Sequence, residues 1–119
     1  MKKVALFFVL ILSLGLSAQS EVTTYFANGN TKMKLLKIGD RSLQVSYFES
    51  GEIKHTGGYH KDAPSGPWRS FNINGEVVAE GKYTNGKKLG IWFIYAPETK
   101  RNYKLYYEEG TRIDAFALK

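Results

Sequence analysis

The 119-residue sequence predicts an all-β fold, an antiparallel β-meander of repeated hairpins in a single curled or twisted sheet. Three observations point to it. Short runs rich in β-branched and aromatic residues recur between turn-forming pairs, at spacings typical of all-β domains. No stretch with helical periodicity competes with them. A block also returns after 24 residues: Gly57 matches Gly81, Tyr59 matches Tyr83, Gly66 matches Gly90 and Trp68 matches Trp92. A fixed period of that size marks a repeat architecture.

The elements follow in order. Glu21 to Phe26 forms a first strand that ends at Ala27-Asn28-Gly29-Asn30. Thr31 to Ile38 follows and stops at Gly39-Asp40. Arg41 to Phe48 alternates, with Leu43, Val45 and Tyr47 on one side. Glu49-Ser50-Gly51 leads into Glu52 to His60, and Pro64-Ser65-Gly66 reads as the next turn. Trp68 to Ile73 meets Asn74-Gly75, a strong hairpin signal because both residue types tolerate positive φ. Glu76 to Thr84 runs to a second such pair, Asn85-Gly86, with Lys87 and Lys88 read as solvated loop lysines. Ile91 to Ala96 meets Pro97, and Asn102 to Tyr107 and Thr111 to Leu118 flank Glu108-Glu109-Gly110. That gives nine strands, and sequential neighbours joined by short turns favour antiparallel pairing. The echoes are weaker at the ends, where Tyr25 to Gly29 and Tyr106 to Gly110 keep only the aromatic-to-glycine spacing, as in capping repeats.

Residues 1–18 read as a secretory signal peptide, with Lys2 and Lys3 before an apolar Val4 to Leu16 and a small Ala18 at the cut. The apolar run is shorter than the ~20 residues of a spanning helix. An uncleaved N-terminal anchor is the competing reading. The expected product, residues 19–119, is secreted or periplasmic. The sequence contains no cysteine, which excludes disulfides, thiolate metal sites and a lipid-modified cysteine. Core packing and strand pairing must therefore hold the domain. Of 17 basic residues, removal of Lys2 and Lys3 leaves 15 against 11 acidic ones, a net +4. Lys32, Lys34 and Lys37 alternate with apolar residues as the wet face of a strand would, and no clustered basic stripe suggests nucleic acid.

The segment Gly81-Lys82-Tyr83-Thr84-Asn85-Gly86-Lys87-Lys88-Leu89-Gly90-Ile91-Trp92 resembles the MORN repeat, in the bacterial variant of small exported proteins and YwqK-type antitoxin-like proteins. The earlier copy departs from it, with Asp62 in place of a glycine and Ala63-Pro64 in place of the lysine pair. The resemblance covers Tyr47 to Tyr95. It implies hairpin repeats stacked into an elongated sheet and a binding or scaffolding role with protein or phospholipid partners. It carries over no catalytic residue.

The residues that could carry chemistry are scattered. His55 and His60 fall on opposite faces of one strand unless Gly57-Gly58 forms a bulge, a poor spacing for zinc even with Glu49 or Asp62 to complete a site. His55-Thr56-Gly57-Gly58 lacks the second histidine of a nucleotidyl-transfer motif. Ser65 is explained by turn chemistry, and no nucleophile–base pair is evident. The expectation is a non-enzymatic chain without cofactor. Tyr59, Trp68, Tyr83 and Trp92 serve either as sheet packing or as contact surface. Phe71 and Tyr95 lie three residues after the tryptophans, hence on the opposite face, where a binding surface is expected to run. The expected partner is a protein at the cell envelope. The alternative is peripheral binding of anionic phospholipid, and homo-oligomers through the sheet edges remain open.

Overall fold

The computed structural model describes residues 19–118, and all nine strands within them join one antiparallel sheet in sequence order. The strands are β1 (Gln19–Tyr25), β2 (Thr31–Ile38), β3 (Arg41–Tyr47), β4 (Ile53–His60), β5 (Ala63–Phe71), β6 (Val77–Thr84), β7 (Lys87–Ala96), β8 (Arg101–Glu108) and β9 (Thr111–Leu118). The meander predicted from the sequence is thus the observed fold. The signal-peptide reading of residues 1–18 lies outside the described residues. Nine strands at about 4.8 Å spacing fit the longest dimension of 44 Å, and among the described residues β1 and β9 are the edge strands, each paired on one side only.

The two rims of the sheet use different turn chemistry. Along one rim run two-residue turns, Gly39-Asp40, Lys61-Asp62, Asn85-Gly86 and Glu109-Gly110. In the last three both residues have positive φ, the left-handed pair whose twist matches that of the flanking strands. Successive turns are stitched together: the Gly86 N–H donates to the Pro64 carbonyl at 2.9 Å, and the Gly110 N–H to the Lys88 carbonyl at 2.9 Å. Along the other rim, Phe26–Asn30, Phe48–Glu52 and Asn72–Glu76 share a second geometry, in which the first N–H donates to the last carbonyl and the glycine N–H donates back to the first carbonyl.

Two expectations about turns are corrected. Pro64-Ser65-Gly66 is not a turn. The chain reverses at Lys61-Asp62, with φ of 50° and 67°, and β5 has begun by Ala63. Similarly, only Asn85 and Gly86 form the next reversal, and Lys87 already pairs with Thr84. Gly66 and Gly90 sit inside strands as bulges. Tyr59 pairs with Pro64 and Gly57 with Trp68, so one residue of β4 faces three of β5. Lys82 pairs with Leu89 and Glu80 with Phe93, repeating the same mismatch one period later. Positive φ at Gly66 (83°) and Gly90 (72°) makes these bulges. Because each inserts two residues, the alternation of faces is preserved across it.

The apolar core lies on one face of the first half. Leu36, Val45 and Ile53 are buried, with Ile38, Leu43, Tyr47 and Phe71 packed around them. The register explains the grouping, since Leu36 pairs with Leu43, Tyr47 with Ile53 and Phe71 with Val77. On the opposite face the one buried large hydrophobic residue among those described is Trp92, 6% exposed.

Candidate functional site

The sheet presents two chemically different faces. One carries an unbroken ladder of rings across β4 to β8: Tyr59, Trp68, Tyr83, Trp92 and Tyr107. Neighbouring rings meet edge to face, with centroids 5.1–5.7 Å apart in the first three contacts and 6.4 Å in the last. Such pairs add about 0.5–1.5 kcal/mol each beyond area burial. Trp68 lies over Gly57 and Trp92 over Gly81, where a Cβ would overlap the indole. Each indole N–H donates to the carbonyl just past its glycine, Trp68 to Gly58 at 3.0 Å and Trp92 to Lys82 at 3.2 Å. With Nε1 satisfied and the ring face against backbone, these tryptophans are structural members of the sheet. Lys88 closes the far end, its Nζ 4.9 Å from the Trp92 ring and 5.0 Å from the Tyr107 ring. It is therefore engaged in cation–π contact rather than solvated as a loop lysine.

The opposite face divides into an apolar groove and an aromatic band. The groove, open and of about 700 Å³, is lined by Leu36, Ile38, Leu43 and Val45, with Gly58 on its floor and Arg41, Pro67 and Arg69 at its walls. The band lies over β7 to β9. Phe93 and Tyr95 stack with parallel rings 6.2 Å apart, and Tyr106 meets Phe116 edge to face at 5.7 Å. Leu89 (42% exposed), Ile91 (41%) and Phe116 (51%) leave much of it open to water. Lys82 pairs with Leu89 and Lys104 with Phe93, so both lysines share this face, and Lys104 Nζ sits 6.0 Å from the Phe93 ring.

The expected site residues therefore separate. Trp68 and Phe71 do occupy opposite faces, as do Trp92 and Tyr95. Tyr59, Trp68, Tyr83 and Trp92 join in the ladder. Phe71 packs against the core cluster and is not free contact surface. Tyr95 stays at the rim of the band, where its hydroxyl donates to Glu80 Oε2 at 2.9 Å, while Arg69 Nε donates to Glu80 Oε1 at 3.1 Å. Partial desolvation, with help from the Glu80 carboxylate, holds the Tyr95 phenol above its ordinary value. The sequence reading missed Leu89, Ile91, Phe93 and Phe116. Leu89 was hidden by taking residues 87–90 as loop, whereas Ile91 and Phe93 share the alternation of Tyr95 on β7, and Phe116 lies on β9. It also missed the groove, although Arg41 shares the alternation of Leu43 and Val45.

The histidines are separated by the sheet. His55 bonds Ser70 Oγ at 2.9 Å and His60 bonds Asp40 Oδ2 at 3.0 Å. Burial pushes the His55 imidazole below its ordinary value, and the Lys54 charge adds to this. Among the described residues, no group of three or more metal-ligating side chains gathers. No helix among them is long and apolar enough to cross a membrane.

No family model matches the chain, and no curated protein matches it. Among solved structures it is similar to a TarM variant from S. aureus, in a crystal structure with fondaparinux, α-GlcNAc-glycerol and UDP (TM-score 0.52, 9% identity, covering 89% of this chain and 23% of that one). A second TarM crystal structure is similar at TM-score 0.51 and 9% identity, covering 90% of this chain and 23% of that one. The chain thus spans less than a quarter of those proteins' length. At that identity the likeness is one of fold.

Proposed function

We propose that this chain is an exported, non-catalytic binding protein of MORN-like repeats that holds a protein partner at the cell envelope. One observation carries the reading: the half-exposed band of Leu89, Ile91, Phe93, Tyr95, Tyr106 and Phe116, which continues to the open edge strand β9. Contiguous exposed apolar patches on soluble domains mark interaction surfaces. Aromatic residues supply contact area at low entropic cost, and an unpaired edge offers backbone donors and acceptors to an added strand. The ladder face is a weaker candidate, because its tryptophans are occupied with glycine backbone.

The test is a pull-down from envelope extract with the mature domain, compared with Ile91→Asp and Phe116→Asp variants. Both positions are exposed, so these variants should fold. A specific protein captured by the native chain and lost by both variants supports the band as the surface. Repeated recovery of no specific protein overturns the reading.

Lys82 and Lys104 beside the band favour one second reading, peripheral attachment to anionic membrane. Each basic residue near such a surface contributes about 1 kcal/mol. Flotation with anionic vesicles at low and high salt tests it, and equal binding to neutral vesicles would count against it.

A further inference from the structure

The groove on β2 to β5 is distinct from the band and has a chemistry of its own. Its position follows from the register. Arg41, Ile38 and His60 form a row next to the two-residue turns. Leu36, Leu43 and Gly58 form the next row inward, and Val45 and Thr56 the one after. A side chain at 58 would fill the trough between Leu43 and β5. Gly58 instead leaves the floor at backbone level, with the Leu43 side chain on one side and the Ser65 carbonyl on the other. Beyond Val45 the cluster of Tyr47, Ile53 and Phe71 occupies the same face. The result is an aliphatic trough open at the turn rim and met by packed side chains further in.

Two guanidinium groups line this trough. Arg69 is already neutralised by Glu80. Arg41 has no ion-pair partner among the described residues, and the neighbouring Asp40 carboxylate is engaged by His60. A volume of about 700 Å³ lies within the range of small-molecule sites, which combine an apolar lining with a few placed polar groups. The arrangement is thus polarised, with aliphatic walls inside and the uncommitted Arg41 at the turn rim, while Lys34 and Lys82 lie beside Val45 and Pro67 on the same face.

We infer that the groove binds a single-chain anionic amphiphile, a fatty carboxylate, with its alkyl chain over Gly58 between Leu43 and Pro67 and its headgroup on Arg41. An apolar tail alone would leave Arg41 unused, and a compact polar anion would leave the half-buried Ile38 and Leu43 and the exposed Pro67 uncovered above the buried Leu36 and Val45. One molecule with both parts satisfies both. The proposal does not depend on the partner-binding role of the band, since it uses different residues and a different half of the sheet.

Dodecanoate, dodecanol and dodecyltrimethylammonium, each below its micellar concentration, serve as probes of the full chain in amide-shift titrations. Saturable one-to-one binding of dodecanoate is expected, with shifts at Leu43, Val45 and Gly58. Arg41→Gln should weaken dodecanoate binding by about tenfold or more, the worth of a charge-assisted hydrogen bond, and leave dodecanol binding unchanged. Restoration by Arg41→Lys to within a few-fold would fit a charge contact. Pro67→Asp, at an exposed position of the groove wall, should weaken binding of both probes, with the folded spectrum confirming an intact sheet. The inference is overturned by non-saturating dodecanoate binding, by equal affinity for the ammonium probe, by insensitivity to Arg41→Gln, or by shifts confined to Phe93 and Phe116.

Discussion

The Trp92 indole lies on the backbone of Gly81, on the adjacent strand, and its N–H reaches one residue further to the Lys82 carbonyl. Trp68 stands in the same relation to Gly57 and Gly58. The 24-residue period is therefore a repeated contact, in which a ring needs a missing side chain on its neighbour. Gly81→Val should displace Trp92 and destabilise the domain by several kcal/mol, on the scale of severe overpacking. Urea melts followed by tryptophan fluorescence check this, and native-like stability would refute the packing.

Trp92→Ala should cost about 3–5 kcal/mol, because this ring is 6% exposed and touches Tyr83 and Tyr107. Trp68→Ala should cost less, because that ring is only partly buried. An inverted order in denaturant midpoints would mean that the two repeat units are not packed as described.

Replacing Gly66 or Gly90 by alanine places a Cβ on left-handed backbone with open space around it. The expected loss is about 1 kcal/mol from conformation alone. A double variant should lose the sum, since the two bulges lie one period apart. Equilibrium unfolding of the singles and the double measures both points.

The His55 imidazole gives a signed pH dependence. Its folded pKa is lowered, first by burial and then by Lys54. The unfolded chain therefore binds more protons near pH 6, and stability falls as pH falls. The contribution is complete above the ordinary value of 6.5 and is lost as pH drops below it. Urea midpoints at about pH 7.5 and 5.5 should differ more for the native chain than for His55→Asn. Equal differences would remove His55 as the cause.

The Arg69–Glu80 pair lies on a half-exposed surface, with side chains 58% and 30% exposed. Exposed pairs contribute only about 0–1 kcal/mol. Arg69→Ala should therefore leave unfolding midpoints nearly unchanged while freeing Glu80 for Tyr95 alone. A loss above 2 kcal/mol would show that the Arg69 stem packs in the groove wall.

The strands were legible where turn chemistry was explicit. Thr31 to Ile38 and Thr111 to Leu118 match the observed β2 and β9 at both ends. The chain was harder to read where positive φ falls on ordinary residues. Lys61 and Asp62 carry no glycine, yet they form the reversal that Pro64-Ser65-Gly66 had suggested. The mistake hid the first row of β5 and, by the same logic, the start of β7. The two second-position aromatics show a further limit of a period read from one strand. Phe71 pairs with Val77 and joins the core, whereas Tyr95 pairs with Asn102 and reaches Glu80. Equivalent positions acquired different surroundings because their cross-strand neighbours differ.

The stitched turns of the short rim have a consequence for how such a chain can change size. Each 24-residue unit brings its own reversal, its own two-residue bulge and its own ring-on-glycine joint. Inserting one more unit adds two strands, about 9.6 Å of width, and asks nothing new of the joints on either side. The molecule is built as a ruler, whose reach can be lengthened or shortened in fixed steps while each face keeps its character.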